Sequence, residues 1–269
     1  MEIILELPKD RPRARAALFD FDGTISTLRH GWESIMEPFM TEMIAGGTTV
    51  DEDIVEEVRE YIDASTGIQT IFQMQWLVDA VKKYGRNPHA PEDPWQYKAE
   101  YNRRLMEHVK KRITKILSEE KSAEDYLIKG SMKFLKALDE RGIDIYAASG
   151  TDNADVVNEA HILGVDGYFK EIAGAPAGRA DCSKEAVLKR LINDYGLKGP
   201  EVMVFGDGKV EIALGRQAGT IAIGVASDEE KRCGINPTKR QRLIKAGAHA
   251  IIGDFEKTDE LLKWLGLEE

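Results

Sequence analysis

Cysteine is scarce in this chain: Cys182 and Cys233 are the two in 269 residues. That number excludes a disulfide framework and predicts a reducing, cytoplasmic setting. Positive charge is also in deficit, with 37 Lys and Arg against 47 Asp and Glu and a formal charge of −10. Without a broad cationic field, non-specific binding to nucleic acid or to an anionic membrane is not expected. An anionic ligand would need a local positive site, from a metal or from a few placed Lys and Arg. No apolar run approaches the length of a membrane span. Met1-Glu2-Ile3-Ile4-Leu5-Glu6-Leu7 lacks a basic leader and is too short for a signal peptide. His89, His108, His161 and His249 fall at no metal-ligand spacing, and internal repeats and low-complexity segments are absent.

What is present is the composition of a globular protein, 42% apolar and 31% charged, long enough for one large domain or two modest ones. Residues 2–7 alternate weakly and predict an edge strand, and Ala16-Ala17-Leu18-Phe19 reads as a buried one. Residues 30–125 then show almost no strand signal. Ile54, Val58 and Ile62 recur at helical spacing, as do Tyr97, Tyr101, Leu105, Val109, Ile113 and Ile116, while Pro88, Pro91 and Pro94 punctuate the pattern. About four helices are expected there. From residue 130 buried strands alternate with amphipathic helices: strands over 143–148, 168–173, 202–205, 221–225 and 250–252, separated by helices that close at Gly142, Gly164 and Gly196. Such alternation predicts a parallel sheet wrapped by helices, an α/β core interrupted by the helical segment. The expected division is a discontinuous core, 1–28 and 127–269, with a helical insert at 29–126.

The first strand ends in Asp20-Phe21-Asp22-Gly23-Thr24. Alternate strand residues share a face, so Asp20 and Asp22 project together at the C-terminal tip, where open parallel sheets bind ligands. Two adjacent carboxylates demand a cation or a shared proton, and Gly23 allows the backbone to turn close to a bound group. The second strand ends in Ala148-Ser149-Gly150-Thr151, a hydroxyl and exposed N–H groups at a helix start, which serve equally as an anion site or as ordinary caps. Lys184 opens a helix, an unfavourable place for a cation unless it faces an anion. Val204-Phe205-Gly206-Asp207-Gly208-Lys209-Val210-Glu211 places Asp207 at another strand tip and Glu211 one turn further. Its glycines are too few for a dinucleotide-binding fingerprint.

Taken in order, these four segments resemble the four motifs of the haloacid dehalogenase (HAD) superfamily, and the helical segment after the first resembles the C1 cap of its phosphoglycolate phosphatase and β-phosphoglucomutase-like branch. The resemblance implies a Rossmann-like core with an inserted helical cap. It implies Mg²⁺ as cofactor, held by the Asp20 carboxylate, the Asp22 backbone carbonyl and the Asp207 carboxylate. It further implies Asp20 as nucleophile, Asp22 as acid and base, and Ser149 and Lys184 at the transferring phosphoryl group, with Gly23, Thr24, Gly150 and Thr151 beside it. Dehalogenases of this fold lack the second carboxylate, phosphonatases carry a small residue there, and P-type ATPases read Asp-Lys-Thr-Gly-Thr. Asp22 therefore directs the reading to hydrolysis of a phosphomonoester, with a phosphosugar mutase second and a non-catalytic binding module third. Glu211 stands where the motif usually has Asp, which leaves open whether it meets the metal's waters or holds Lys184.

Substrate contacts are expected from Gln69 and Gln73, one turn apart on a helix from Gly67 to Trp76, whose amides suit sugar hydroxyls. Arg179, Asp152 and Asn153 flank the motifs and are further candidates, and His30 and Trp32 stand where core crosses to insert. Arg103-Arg104 and Lys110-Lys111-Arg112 read as a solvent-facing stripe, one member of which could reach a second anionic group. The expected partner is a small phosphorylated metabolite, with no nucleic acid and no membrane, and the protein is expected as a monomer or homodimer.

Overall fold

The structure is a computed structural model that describes residues 1–180 and 183–268. A seven-stranded sheet runs in the order β1-β7-β6-β5-β2-β3-β4. β2 (Ala16–Phe19) lies in the middle, paired in parallel with β3 (Asp144–Asp152) on one side and β5 (Val202–Gly206) on the other. β4 (Glu171–Ala175), β6 (Ile221–Val225) and β7 (Ala250–Ile252) extend it in parallel, and β1 (Glu2–Ile3) closes one edge antiparallel to β7. All four residues of β2 are buried, as a strand covered on both faces requires. Phe19 stacks on Phe205 at 4.5 Å between ring centroids, with Phe134 and Phe255 around them, and this aromatic cluster fixes the two strands that carry Asp20 and Asp207.

Between β2 and β3 the chain leaves the sheet for four helices, α1 (Glu33–Ala45), α2 (Glu52–Ser65), α3 (Thr70–Tyr84) and α4 (Pro94–Leu117). They bury an apolar cluster of their own, which includes Ile54, Val58 and Ile62 of α2 and Tyr97, Tyr101 and Leu105 of α4. Pro94 opens α4 and the Asp93 carboxylate accepts from the Trp95 N–H, a capped start that explains why the helix begins there. Ile113 packs against both this cluster and the sheet's core, and Ile116 against the sheet's core, so the far end of α4 ties the insert down.

The remaining helices, α5 (Ser131–Glu140), α6 (Asn153–Ile162), α7 (Ser183–Asn193), α8 (Lys209–Gln217), α9 (Pro237–Lys245) and α10 (Thr258–Trp264), cover the sheet. The edge strand is Glu2–Ile3 rather than 2–7, and three further boundaries near the site differ from expectation. β3 continues past Ala148 through the Ser149 segment to Asp152. β4 starts at Glu171 rather than Tyr168, because the Tyr168 N–H turns back to the Val165 carbonyl in a short 3-10 turn. α3 starts at Thr70, because Gly67 takes φ +90° and Gln69 is extended. The helical face expected to carry both Gln69 and Gln73 is therefore not formed.

Candidate active site

Asp20 sits one residue beyond β2, its N–H still bonded to the Phe205 carbonyl at 2.8 Å. The chain then turns sharply: the Ile25 and Ser26 N–H groups return to the Phe21 carbonyl, and the Ser227 hydroxyl donates to the Gly23 carbonyl at 2.7 Å. Gly23 is required here. Its φ is +75°, and a Cβ would lie 2.4 Å from Asp207 Oδ2.

Lys184 Nζ, nearly sealed from solvent, stands 2.9 Å from both Asp20 Oδ2 and Glu211 Oε2. Glu211 Oε1 accepts from the Gly208 N–H at 2.6 Å, so both of its oxygens are engaged. Burial disfavours the Lys184 charge, yet the two carboxylates outweigh it and hold the ammonium firmly protonated. Burial pushes the Asp20 carboxyl well up, with Lys184 opposing and the Glu211 and Asp207 charges adding to the rise. Glu211 goes the other way: burial is overcome by Lys184, leaving it below the ordinary range.

A second lysine completes the far side. Lys239 Nζ of α9 lies 2.6 Å from Asp207 Oδ2 and 2.5 Å from Glu229 Oε1. Burial raises Asp207 against the pull of Lys239, whereas Glu229, buried too, is drawn down to about 2 by His30, 3.7 Å away, and by Lys239. Asp22 Oδ2 accepts from the Ser149 hydroxyl at 3.0 Å and the Thr151 hydroxyl at 2.8 Å. Asp22 Oδ1 has no hydrogen-bond partner, and the Arg29 Nε is 3.9 Å away. Arg29 is itself bound to Glu159 at 2.6 Å and Asp155 at 3.3 Å.

Asp20, Asp22, Lys184, Asp207, Arg29 and Glu229 line one cavity of about 110 Å³ between sheet and insert. A model of haloacid dehalogenase-like hydrolases matches residues 14–219. The chain belongs to that family. HAD-type solved structures share the fold: a predicted phosphoglycolate phosphatase from Haemophilus somnus is 17% identical, with 93% of this chain and 98% of that one covered and a TM-score of 0.63. A β-phosphoglucomutase from Clostridium difficile is 15% identical, with 94% and 97% covered and a TM-score of 0.62. No curated protein sequence matches the chain.

Within this HAD framework the expected residues are brought together unevenly. Gly23, Gly150 and Thr151 line the cavity with the carboxylates, and so does Gln73, whose amide donates to the Ser65 hydroxyl at 3.1 Å. Gln69 lies behind it, in a smaller pocket beside Gly150 and Lys184. Thr24 is fully buried under the turn, and Arg179 is exposed and does not line the cavity. Cys182 lies outside the described residues. Arg103 and Arg104 pair with Glu100, Glu107 and Glu42 in the expected surface stripe, but Arg112 turns inward to the Leu28 and His30 carbonyls.

Sequence reasoning missed Arg29, Lys98, Asn102, Glu229 and Lys239. Lys98 and Asn102 sit one helical turn apart on α4, a spacing that could have flagged them. Arg29, Glu229 and Lys239 lie outside the four motifs, and only the folding of distant segments brings them in.

The donor set suits a divalent cation. One carboxylate oxygen each from Asp20, Asp207 and Glu211 fall within 4.8 Å of one another. Glu211 binds Lys184 and the Gly208 N–H, while Asp20 and Asp207 stand at the strand tips where they line the cavity, so these two are the carboxylates best placed to hold a metal. Asp20, Asp22, Asp207, Glu211 and Glu229 also outnumber Lys184, Lys239 and His30, the cations that meet them directly apart from the committed Arg29. Hard oxygen donors with surplus negative charge fit Mg²⁺.

Proposed function

We propose that this chain is a Mg²⁺-dependent phosphomonoester hydrolase acting on a small phosphorylated metabolite. The observation that carries the reading is Asp22, a second carboxylate two residues from Asp20, oriented by the Ser149 and Thr151 hydroxyls.

Mg²⁺ would be held by the Asp20 and Asp207 carboxylates and the Asp22 backbone carbonyl, and would supply charge neutralisation for an incoming phosphate. Asp20 Oδ1 accepts from the Phe21 N–H at 2.9 Å and Oδ2 faces Lys184, so the nucleophile is fixed before substrate arrives. Attack of Asp20 on phosphorus forms an aspartyl-phosphate and expels an alkoxide, which Asp22 protonates through its free Oδ1. The ionised Asp22 then takes a proton from the water that cleaves the intermediate. Lys184, carried by the start of α7, stabilises charge on the phosphoryl oxygens, and Glu211 holds it in place. Ser149 is the further phosphoryl contact in this reading; without substrate its hydroxyl rests on Asp22.

Phosphosugar mutase chemistry is the second reading. It is favoured by the 66–69 loop of the insert, which lies against the core: a Cβ on Gly150 would be 3.1 Å from the Ile68 carbonyl, and one on Gly67 3.4 Å from Gly208 Cα. A shut site of that kind would keep water from an aspartyl-phosphate.

The test is phosphate release, with and without Mg²⁺, across phosphosugars, phosphoglycolate, nucleotides and p-nitrophenyl phosphate. Mg²⁺-dependent release is the expected result. Conversion of a phosphosugar to its positional isomer without net release would select the mutase, and neither outcome would leave a module without catalysis.

A further inference from the structure

Part of the cavity wall is built from the insert and from the tip of β3. Lys98 Nζ of α4, itself buried, pairs with Asp152 Oδ1, and the Asn102 amide donates to Asp152 Oδ2 at 3.0 Å. Asp152 thus links α4 to the sheet and lines the cavity, with 32% of its side chain exposed. A carboxylate has about four lone-pair positions, and two are used here.

A second anionic group on a substrate would need a cation not already committed. Every Lys and Arg lining the cavity holds a carboxylate: Lys184 holds Asp20 and Glu211, Arg29 holds Glu159 and Asp155, and Lys98 holds Asp152. What this part of the wall offers is the acceptor positions of Asp152 beside neutral polar groups such as Asn102 and Gln73. Such a wall accepts hydrogen bonds from hydroxyls and repels carboxylates and phosphates.

We infer that Asp152, clamped by Lys98 and Asn102, is a specificity-determining residue that selects phosphomonoesters with a neutral, hydroxyl-bearing alcohol over those carrying a second anionic group. This rests on the hydrolase reading and narrows it. It sets this site apart from one for phosphoglycolate or for a sugar bisphosphate.

The test uses a matched pair, glycerol 3-phosphate and 3-phosphoglycerate, in which a CH₂OH group replaces a carboxylate. Each is measured by kcat/KM on the full chain with Mg²⁺ and as a competitive inhibitor of p-nitrophenyl phosphate hydrolysis. The wild type should prefer glycerol 3-phosphate by at least about tenfold. Asp152→Ala uncovers Lys98, so the preference should collapse or invert, and adding Lys98→Met should remove the gained affinity for 3-phosphoglycerate. Asp152→Asn keeps one acceptor oxygen for Lys98, but its amide nitrogen cannot accept from the Asn102 amide; it should give an intermediate ratio, which serves if the alanine variant does not fold. A wild type that prefers 3-phosphoglycerate would overturn the inference while leaving the hydrolase reading intact. So would an Asp152→Ala variant that slows both esters equally, because the residue would then be an interdomain clamp alone. If p-nitrophenyl phosphate and both esters all resist hydrolysis, the hydrolase reading fails and the selectivity falls with it.

Discussion

Asp20 is 6% exposed and shares Lys184 with Glu211, so its replacement tests chemistry with little change of shape. Asp20→Asn should lower turnover by at least about 10³-fold. The fold should be kept, because Asn fills the same space, burial already disfavours the Asp20 charge, and Glu211 still holds Lys184. Wild-type-like phosphate release from that variant would remove Asp20 from the role of nucleophile. Glu211 poses the complementary case. Its two oxygens hold Lys184 and the Gly208 N–H, so Glu211→Ala leaves a buried ammonium with Asp20 alone. Loss of one partner from a buried ion pair costs about 3–5 kcal/mol, and urea unfolding of the variant should show a loss of that order. An unchanged midpoint would mean that Lys184 finds another partner.

The turn after β2 carries the site's geometry. Gly23 has φ +75° and packs against Asp207, 2.4 Å from where a Cβ would stand. Gly23→Ala should therefore strain the backbone by about 1–3 kcal/mol and displace Asp207. The readout is Mg²⁺ affinity by titration calorimetry, expected to fall in step with activity. Equal affinity in the variant would show that Asp207 is not held by this turn.

For the whole molecule, the surplus of carboxylates in the buried site predicts that Mg²⁺ binds the folded chain and not the unfolded one. At a hundredfold excess over Kd this contributes about 2.7 kcal/mol, seen as a rise in Tm that a chelator reverses. No shift at millimolar Mg²⁺ would count against the metal. Acid should act through Glu229, whose carboxyl lies near 2 in the fold against an ordinary 4.5. A depressed carboxyl contributes stability above its unfolded pKa, so that contribution is complete above about pH 4.5 and is lost as pH falls through 2. In metal-free buffer, Glu229→Gln should be less stable than wild type at pH 6, and the gap should close towards pH 2. A gap independent of pH would mean that the His30 and Lys239 contacts do not favour the ionised form.

The alternation of buried strands with capped helices determined the α/β core, and four strand tips and helix starts marked Asp20, Asp22, Ser149, Lys184 and Asp207, which the fold brings to one cavity. Those signals are local: an apolar run, a turn glycine, a polar group next in line. The helical insert was legible for the same reason, through its apolar stripes. Element ends were less so, as at Gln69, where a left-handed Gly67 delays α3. The tertiary structure decided what Glu211 does, since its choice between metal and Lys184 depends on where α7 and α8 meet. It also decided the surroundings: Arg29 on Glu159, Lys239 on Asp207 and Glu229, Lys98 on Asp152. Apart from Lys239 on Glu229, these are pairings between residues far apart in sequence. Burial and charge impose them only after the chain has closed around them, so no local pattern announces them.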